Sequence, residues 1–312
     1  MPIGMTADET QWLWCAAQMA KAGKNVARPL QGTQAGRVAL DRGAGGDRTL
    51  EIDRACEEAM HEVLVGSAPS SYRLVSEESG ISGPEDATWR VVVDPLDGSL
   101  NAKRGLEPFC ASVAVAAGPT LGDVTVGYIE DYMRPHALGA VKHSGLMEVV
   151  LPDTPDSTNS EGGAIGEVRV QAVELDQSRF RNDLVEVVLL EAGRPDHHHF
   201  CYQDLNAFAV NGEGCDIRVR QIGSLALSLC YVAVGIADIL VAAVRSRSVD
   251  IAAGLLILSE AGGGAAALGG EDLFDQPLDL EKRCAFIAWR AGLDGAGILH
   301  RARHLGDIRT VF

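Results

Sequence analysis

Apolar positions recur along this chain in two rhythms. In residues 8–29, DETQWLWCAAQMAKAGKNVARP, they return every three to four positions, which predicts a helix with Asp8 as its N-terminal cap. A second helix is expected at about 49–65. Between them QGTQAGRVALDRGAGG, residues 31–46, is glycine-rich and without clear period, and reads as a mobile loop. Short β-type runs follow: YRLVS, WRVVVD, CASVAVA and VTVGYI. Beyond them, strand-like VEVVLL and RVRQI alternate with helix-like SLALSLCYVAVG and IAAGLLILSEAGG. The first half therefore reads as α+β, and the second as layered α/β. The polar stretch PDTPDSTNSEGG, residues 152–163, is the expected boundary, giving an N-terminal domain over 1–151 and a C-terminal domain over 164–312.

Composition narrows the function classes. A formal charge of −16 without basic, aromatic-interleaved tracts speaks against nucleic-acid binding. No apolar run is long enough to span a bilayer, so no membrane partner is expected. The N-terminus MPIGMTADETQW lacks the basic-then-apolar pattern of a signal peptide. Seven scattered cysteines, none in a CxxC pair, fit reduced buried thiols in a cytoplasmic protein and speak against a zinc site. The internal HHHF at 197–200 (His197, His198, His199) lies outside every acidic motif and reads as a solvated loop.

The candidate chemistry is acidic. VVVDPLDGSLN, residues 91–101, ends an apolar run in Asp94 and places Asp97 three positions on. Alone it is equally well a turn, because proline presets φ and glycine accepts a positive φ. LVSEESG repeats the grammar with Glu77 and Glu78 after a short apolar run. In SVDIAAGLLILSEAGG, Asp250 opens a buried helix, where it caps the helix or presents a ligand from a rigid element. Thr49 and Asp53 stand at the start of the second helix. Glu77, Asp94, Asp97 and Asp250 come from three separated segments. Hard oxygen ligands without His or Cys neighbours suit Mg²⁺, and four carboxylates exceed what one Mg²⁺ usually takes from protein. More than one ion is expected, and two ions can clamp the attacking and leaving oxygens of an in-line displacement.

With VSEESG, DPLDGSLN and VDIAAG in this order, the chain resembles the inositol monophosphatase family of Mg²⁺-dependent, lithium-sensitive phosphatases. GDRTLEID (46–53) and RVRQIGSLALSLCYVAVGIAD (218–238) bring it nearer the archaeal-type enzymes with both inositol monophosphatase and fructose-1,6-bisphosphatase activity. The resemblance implies the layered αβαβα sandwich of sugar phosphatases, in two subdomains with the site between them. It implies two or three Mg²⁺ held by Glu77, Asp94, Asp97, Asp250 and the Leu96 carbonyl, with Glu78 behind Glu77. Asp53, Ser99 and Glu77 would orient and deprotonate the attacking water. Gly98 and Ser99 would bind phosphate at a helix N-terminus. The implied substrate is a small phosphorylated metabolite, an inositol or sugar phosphate, and the implied assembly is a homodimer or larger homo-oligomer. A nucleotide-derived or other acidic phosphorylated metabolite is the alternative substrate, and an inactive phosphometabolite-binding relative the alternative class.

Departures from the family pattern concern the pocket. Val249 stands where a tryptophan is common, and Ala243 where inositol-specific relatives carry a glutamate. RPHALGAVKHSG, residues 134–145, lacks the usual glycine-asparagine turn. Arg245 and Arg247 lie nearby instead, either to receive a second anionic group of the substrate or to be solvated.

Overall fold

The first helix, α1 (Ala7–Leu30), is capped two residues earlier than the sequence suggests. The structure, a computed structural model, describes residues 5–46, 48–135, 137–150, 169–173, 184–191, 205, 208 and 217–302. Thr6 accepts the Glu9 N–H at 3.2 Å, and the Glu9 carboxylate accepts the Thr6 N–H at 2.8 Å. This capping box satisfies two orphan donors reciprocally, which Asp8, already inside the first turn, cannot do. Pro29 sits inside the last turn, and the helix ends after Leu30.

Residues 39–50 correct a second expectation. Part of the segment read as a loop forms β1 (Ala39–Arg42), which pairs antiparallel with β2 (Arg48–Leu50). This ribbon leads directly into α2 (Glu51–Ser67).

The chain then builds a mixed sheet. Its strands are β3 (Tyr72–Ser76), β4 (Gly80–Ser82), β5 (Trp89–Asp97), β6 (Cys110–Ala116), β7 (Val124–Asp131), β8 (Ala137–Val141), β9 (Leu146–Val150) and β10 (Arg169–Ala172), with α3 (Ser99–Arg104) between β5 and β6. They lie in the order β10-β9-β8-β7-β6-β5-β3-β4. Most pairs are antiparallel, but β3 and β5 run parallel, with Ser76 opposite Val93. That register places Glu77 beside Asp94 at one edge. The expected boundary at 152–163 lies outside the described residues; β10, just beyond it, still belongs to this first sheet.

A second, five-stranded sheet follows, built from β11 (Val187–Glu191), β12 (Arg218–Arg220), β13 (Ile239–Ser246), β14 (Gly264–Ala267) and β15 (Cys284–Trp289) in the order β12-β11-β13-β15-β14. Helices α4 (Leu225–Ala233) and α5 (Ser248–Glu260) pack on each other between the two sheets, α5 lying across β5 to β8. Both helices are apolar on every face, as their position requires. Leu229, Leu240, Leu255, Ile257 and Phe286 fill this central core. Trp12, Met60, Val91, Val113 and Tyr128 fill the one beneath α1 and α2. The outer face of the second sheet packs Val188, Ile239 and Ile287 against Ile298 of α6 (Gly295–Ala302). The layers thus read helix, sheet, helix, sheet, helix, which is the expected αβαβα sandwich. A fully buried leucine or isoleucine contributes roughly 1.5–3 kcal/mol, so α5 is anchored by its apolar residues and its polar first turn is free for other work. Among the described residues, no helix is long and apolar enough to cross a membrane, and Cys15, Cys56, Cys110, Cys230 and Cys284 are free and buried.

Candidate active site

Three chain segments bring carboxylates to one place. The parallel β3–β5 pair delivers Glu77 and Asp94, and the Glu77 N–H donates to the Val93 carbonyl at 3.1 Å. The first turn of α5 delivers Asp250. One oxygen from each of Glu77, Asp94 and Asp250 lies within 4.8 Å of the other two. Asp94 is 2 % exposed, and its Oδ1 accepts the Leu96 N–H at 2.9 Å.

A bulge follows Asp94. The register of β5 against β6 slips between Asp94 and Asp97, where Pro95 and Leu96 intervene. Asp97 ends the strand and is clasped by the other half of the molecule. Its Oδ2 accepts the Ser224 hydroxyl at 2.6 Å and the Ala226 N–H at 2.7 Å, both at the start of α4. Gly98 then adopts φ +95°, and a Cβ there would meet Phe109 Cβ at 3.1 Å and the Gly223 and Pro108 carbonyls at 3.2 Å. Conformation and crowding both demand glycine.

Asp53 sits in the first turn of α2, and its Oδ2 accepts the Leu50 N–H at 2.7 Å. Its Oδ1 is buried and has no hydrogen-bond partner among the described residues. The Ser99 hydroxyl nearby donates its proton to the Leu96 carbonyl at 3.0 Å. Behind Glu77, the Glu78 carboxylate accepts the Thr49 hydroxyl. Asp250 also acts as a cap, with Oδ2 accepting the Arg247 N–H at 2.9 Å.

Burial beside other negative charge raises the pKa of four of these carboxyls, Asp53, Glu77, Asp94 and Asp97. Burial pushes Asp53 up to about 7, with Glu78 adding to the effect. Burial pushes Asp97 up to about 7, opposed by the Ser224 hydroxyl. It pushes Glu77 up to about 8 despite the Arg247 guanidinium, with Asp250 and Glu78 contributing. Asp94 is raised well above the usual carboxylate range by burial and then by Glu77, Asp97 and Asp250. Such shifts mark carboxylates that lack sufficient positive charge. The converging donor set, one carboxylate oxygen each from Glu77, Asp94 and Asp250, fits Mg²⁺.

Two features escaped the sequence reading. Ser224 reaches Asp97 from 127 residues further along the sequence, and its only sequence signal is a serine ahead of an apolar helix. Arg247, expected to meet substrate or solvent, is 7 % exposed. Its Nη2 donates to Glu77 Oε1 at 2.5 Å and to Asp250 Oδ1 at 3.1 Å. Burial opposes its charge, but Asp250 and Glu77 outweigh this and hold its pKa above the usual arginine value. The side chain of Arg245 and residues His197, His198 and His199 lie outside the described residues.

Fold and site together define a layered α/β protein with a carboxylate centre suited to hard divalent cations. The model of the inositol monophosphatase family matches residues 8–302. A fructose-1,6-bisphosphatase/inositol-1-monophosphatase of Methanothermobacter thermautotrophicus is 29% identical over 298 residues, covering 90% of this chain and 93% of that protein. The Nus factor SuhB of Pasteurella multocida is 33% identical over 217 residues, 70% of each chain. Among solved structures, the MJ0109 gene product, an inositol monophosphatase-fructose 1,6 bisphosphatase, superimposes with a TM-score of 0.70 at 21% identity, covering 97% of this chain and 100% of that one. The chain belongs to the inositol monophosphatase family. It is a phosphoric monoester hydrolase of a metal-dependent family whose members act on sugar or polyol phosphates.

Proposed function

We propose that the chain hydrolyses the phosphomonoester of a small sugar or polyol phosphate, of the inositol monophosphate or fructose 1,6-bisphosphate class, with Mg²⁺ as its cofactor. The observation that carries this reading is the convergence of Glu77, Asp94 and Asp250 oxygens within 4.8 Å from three separate segments. Glu77, Asp94, Asp97, Asp250 and the Leu96 carbonyl would hold two or three Mg²⁺. When bound, the ions lower the pKa of water and stabilise charge on the phosphoryl and leaving oxygens.

The chain's own residues do the rest. Asp53, with its free buried Oδ1 and a pKa of about 7, is poised as general base. Ser99 lies beside it and relays the proton toward Asp53, and Glu77 orients the attacking water. Gly98 and Ser99 receive the phosphate, because glycine leaves the backbone N–H groups open to approach. Glu78, tied to Thr49, fixes the chain behind Glu77. Arg245 is the candidate for a second anionic group of the substrate, since the Arg247 guanidinium is committed to Glu77 and Asp250. We assign most metal ligands to the N-terminal domain (1–151) and the last one, Asp250, to the C-terminal domain (164–312). The protein is proposed to act in the cytoplasm as a homodimer or larger homo-oligomer.

Phosphate release from inositol 1-phosphate, fructose 1,6-bisphosphate and a nucleotide-derived phosphate, each with Mg²⁺ and with EDTA, tests the reading. Mg²⁺-dependent release from one of the first two supports it. Preference for the third moves the substrate class, and no release from any identifies an inactive phosphometabolite-binding relative.

A further inference from the structure

Arg247 touches the site more closely than any sequence pattern requires. Besides its Nη2 bonds to Glu77 and Asp250, its Nε approaches Asp250 Oδ2 at 3.4 Å, and its Nη1 reaches the Gly45 carbonyl at 3.3 Å. The same carbonyl accepts Arg283 Nη2 at 3.0 Å. Gly45 is confined there: a Cβ would lie 3.1 Å from Glu77 Cγ and overlap the Arg247 guanidinium. Its N–H donates to the Glu77 carbonyl at 2.8 Å. One planar cation thus bridges a strand end of the first sheet, a helix start beside the second, and the loop between β1 and β2.

The carboxylates it bridges are the ones whose oxygens converge. Glu77 Oε1 and Asp250 Oδ1 accept from one guanidinium nitrogen, so a single positive group holds them a fixed distance apart. A divalent cation on those carboxylates would be a second positive charge within a few ångströms of the first, in a place where water screens poorly. Guanidinium and metal cannot both be well satisfied by one pair of oxygens.

We propose that Arg247 is the resident counter-cation of the unloaded site: it holds Glu77 and Asp250 together when no metal is bound, is displaced when metal enters, and so sets the affinity for metal. The proposal rests on the metal reading above. Arg247 is a positioning residue, acting through Glu77 and Asp250. Removing a buried partner leaves uncompensated charge behind, so its loss weakens the metal-free protein and strengthens metal binding.

The test uses the full chain with Arg247→Met, which keeps length without charge, and Arg247→Lys, which keeps charge without the bridging fork. Mg²⁺ binding is measured by calorimetry without substrate, and melting is measured in EDTA and in saturating Mg²⁺. Arg247→Met should melt lower in EDTA, melt near wild type in Mg²⁺, and bind Mg²⁺ on the order of tenfold tighter. Arg247→Lys should fall between. Unchanged or weaker Mg²⁺ binding by Arg247→Met overturns the proposal. Should that variant not fold, nitrogen-15 NMR of the wild-type arginine side chains decides. A guanidinium signal absent from Arg247→Lys should be protected in EDTA and lose protection in Mg²⁺; a signal indifferent to Mg²⁺ overturns the proposal. Failure of wild type to bind Mg²⁺ at all would instead refute the metal reading itself.

Discussion

Asp97 and Glu77 are both half-buried ligand candidates, yet the fold holds them by opposite means. Asp97 is held by neutral donors, the Ser224 hydroxyl and the Ala226 N–H. Glu77 is held by a full charge, the Arg247 guanidinium. Neutral dipoles stay in place when a cation arrives and keep orienting the carboxylate. A guanidinium competes with that cation. One half of the site is therefore set before loading, while the other half must exchange one positive partner for another.

Asp94 stands between the two halves, so its loss should have the largest effect. Asp94→Asn keeps shape but removes charge from the buried centre. Turnover at saturating Mg²⁺ should fall by several orders of magnitude, and near-wild-type phosphate release would remove Asp94 from the site. Asp53 belongs to neither half. Asp53→Asn should lower kcat by about 10²–10⁴-fold, the usual cost of losing a general base, while calorimetric Mg²⁺ affinity stays close to wild type. Lost Mg²⁺ binding with normal turnover per loaded site would reassign Asp53 as a ligand.

Ser224→Ala sharpens the comparison. It removes one of two neutral donors from Asp97, and Mg²⁺ affinity should drop by roughly 10-fold or somewhat more, as for other outer partners of metal ligands. A tighter Mg²⁺ constant in Ser224→Ala would erase the distinction between the two halves. The smallest effect concerns stability without metal. Asp53 and Asp97 are pushed up to about 7 and Glu77 to about 8, so from about pH 4 to 8 the folded state holds more protons than the unfolded one. Stability must then fall as pH rises across that window and level off above it. Melting in EDTA should drop by several degrees between pH 5 and pH 8, and Mg²⁺, which favours the ionised carboxylates, should remove most of that slope. A melting point that climbs with pH in EDTA would contradict the charge accounting of the site.

The acidic positions were legible because each ends an apolar run or opens an apolar helix, and strand ends and helix starts are local features. Their partners were not. The Ser224–Asp97 contact joins residues 127 apart, and the Arg247–Glu77 contact joins residues 170 apart. Nothing in SRSVD says whether an arginine meets solvent, substrate or a distant glutamate. The β1–β2 ribbon was missed for a related reason. ALDR is mostly exposed on both faces, so it lacks the alternation by which a strand is recognised. The cap of α1 is expected at Asp8 alone from the sequence; the spacing from Thr6 to Glu9, which makes Thr6 the cap, was missed as well.

Helix α5 is fixed at both ends. Asp250 lies in its first turn, and at its last residue the Glu260 carboxylate accepts the His143 and Gly145 N–H groups, each at 2.8 Å, from the turn joining β8 to β9. With thirteen residues and a rise of about 1.5 Å each, the helix is a strut of roughly 20 Å, tethered to the first sheet at its far end and buried along its length. Fixing a backbone residue costs on the order of 1–2 kcal/mol in lost conformational freedom. At Asp250 that cost has already been met by folding. A ligand arriving at the site has only a short two-torsion side chain left to immobilise.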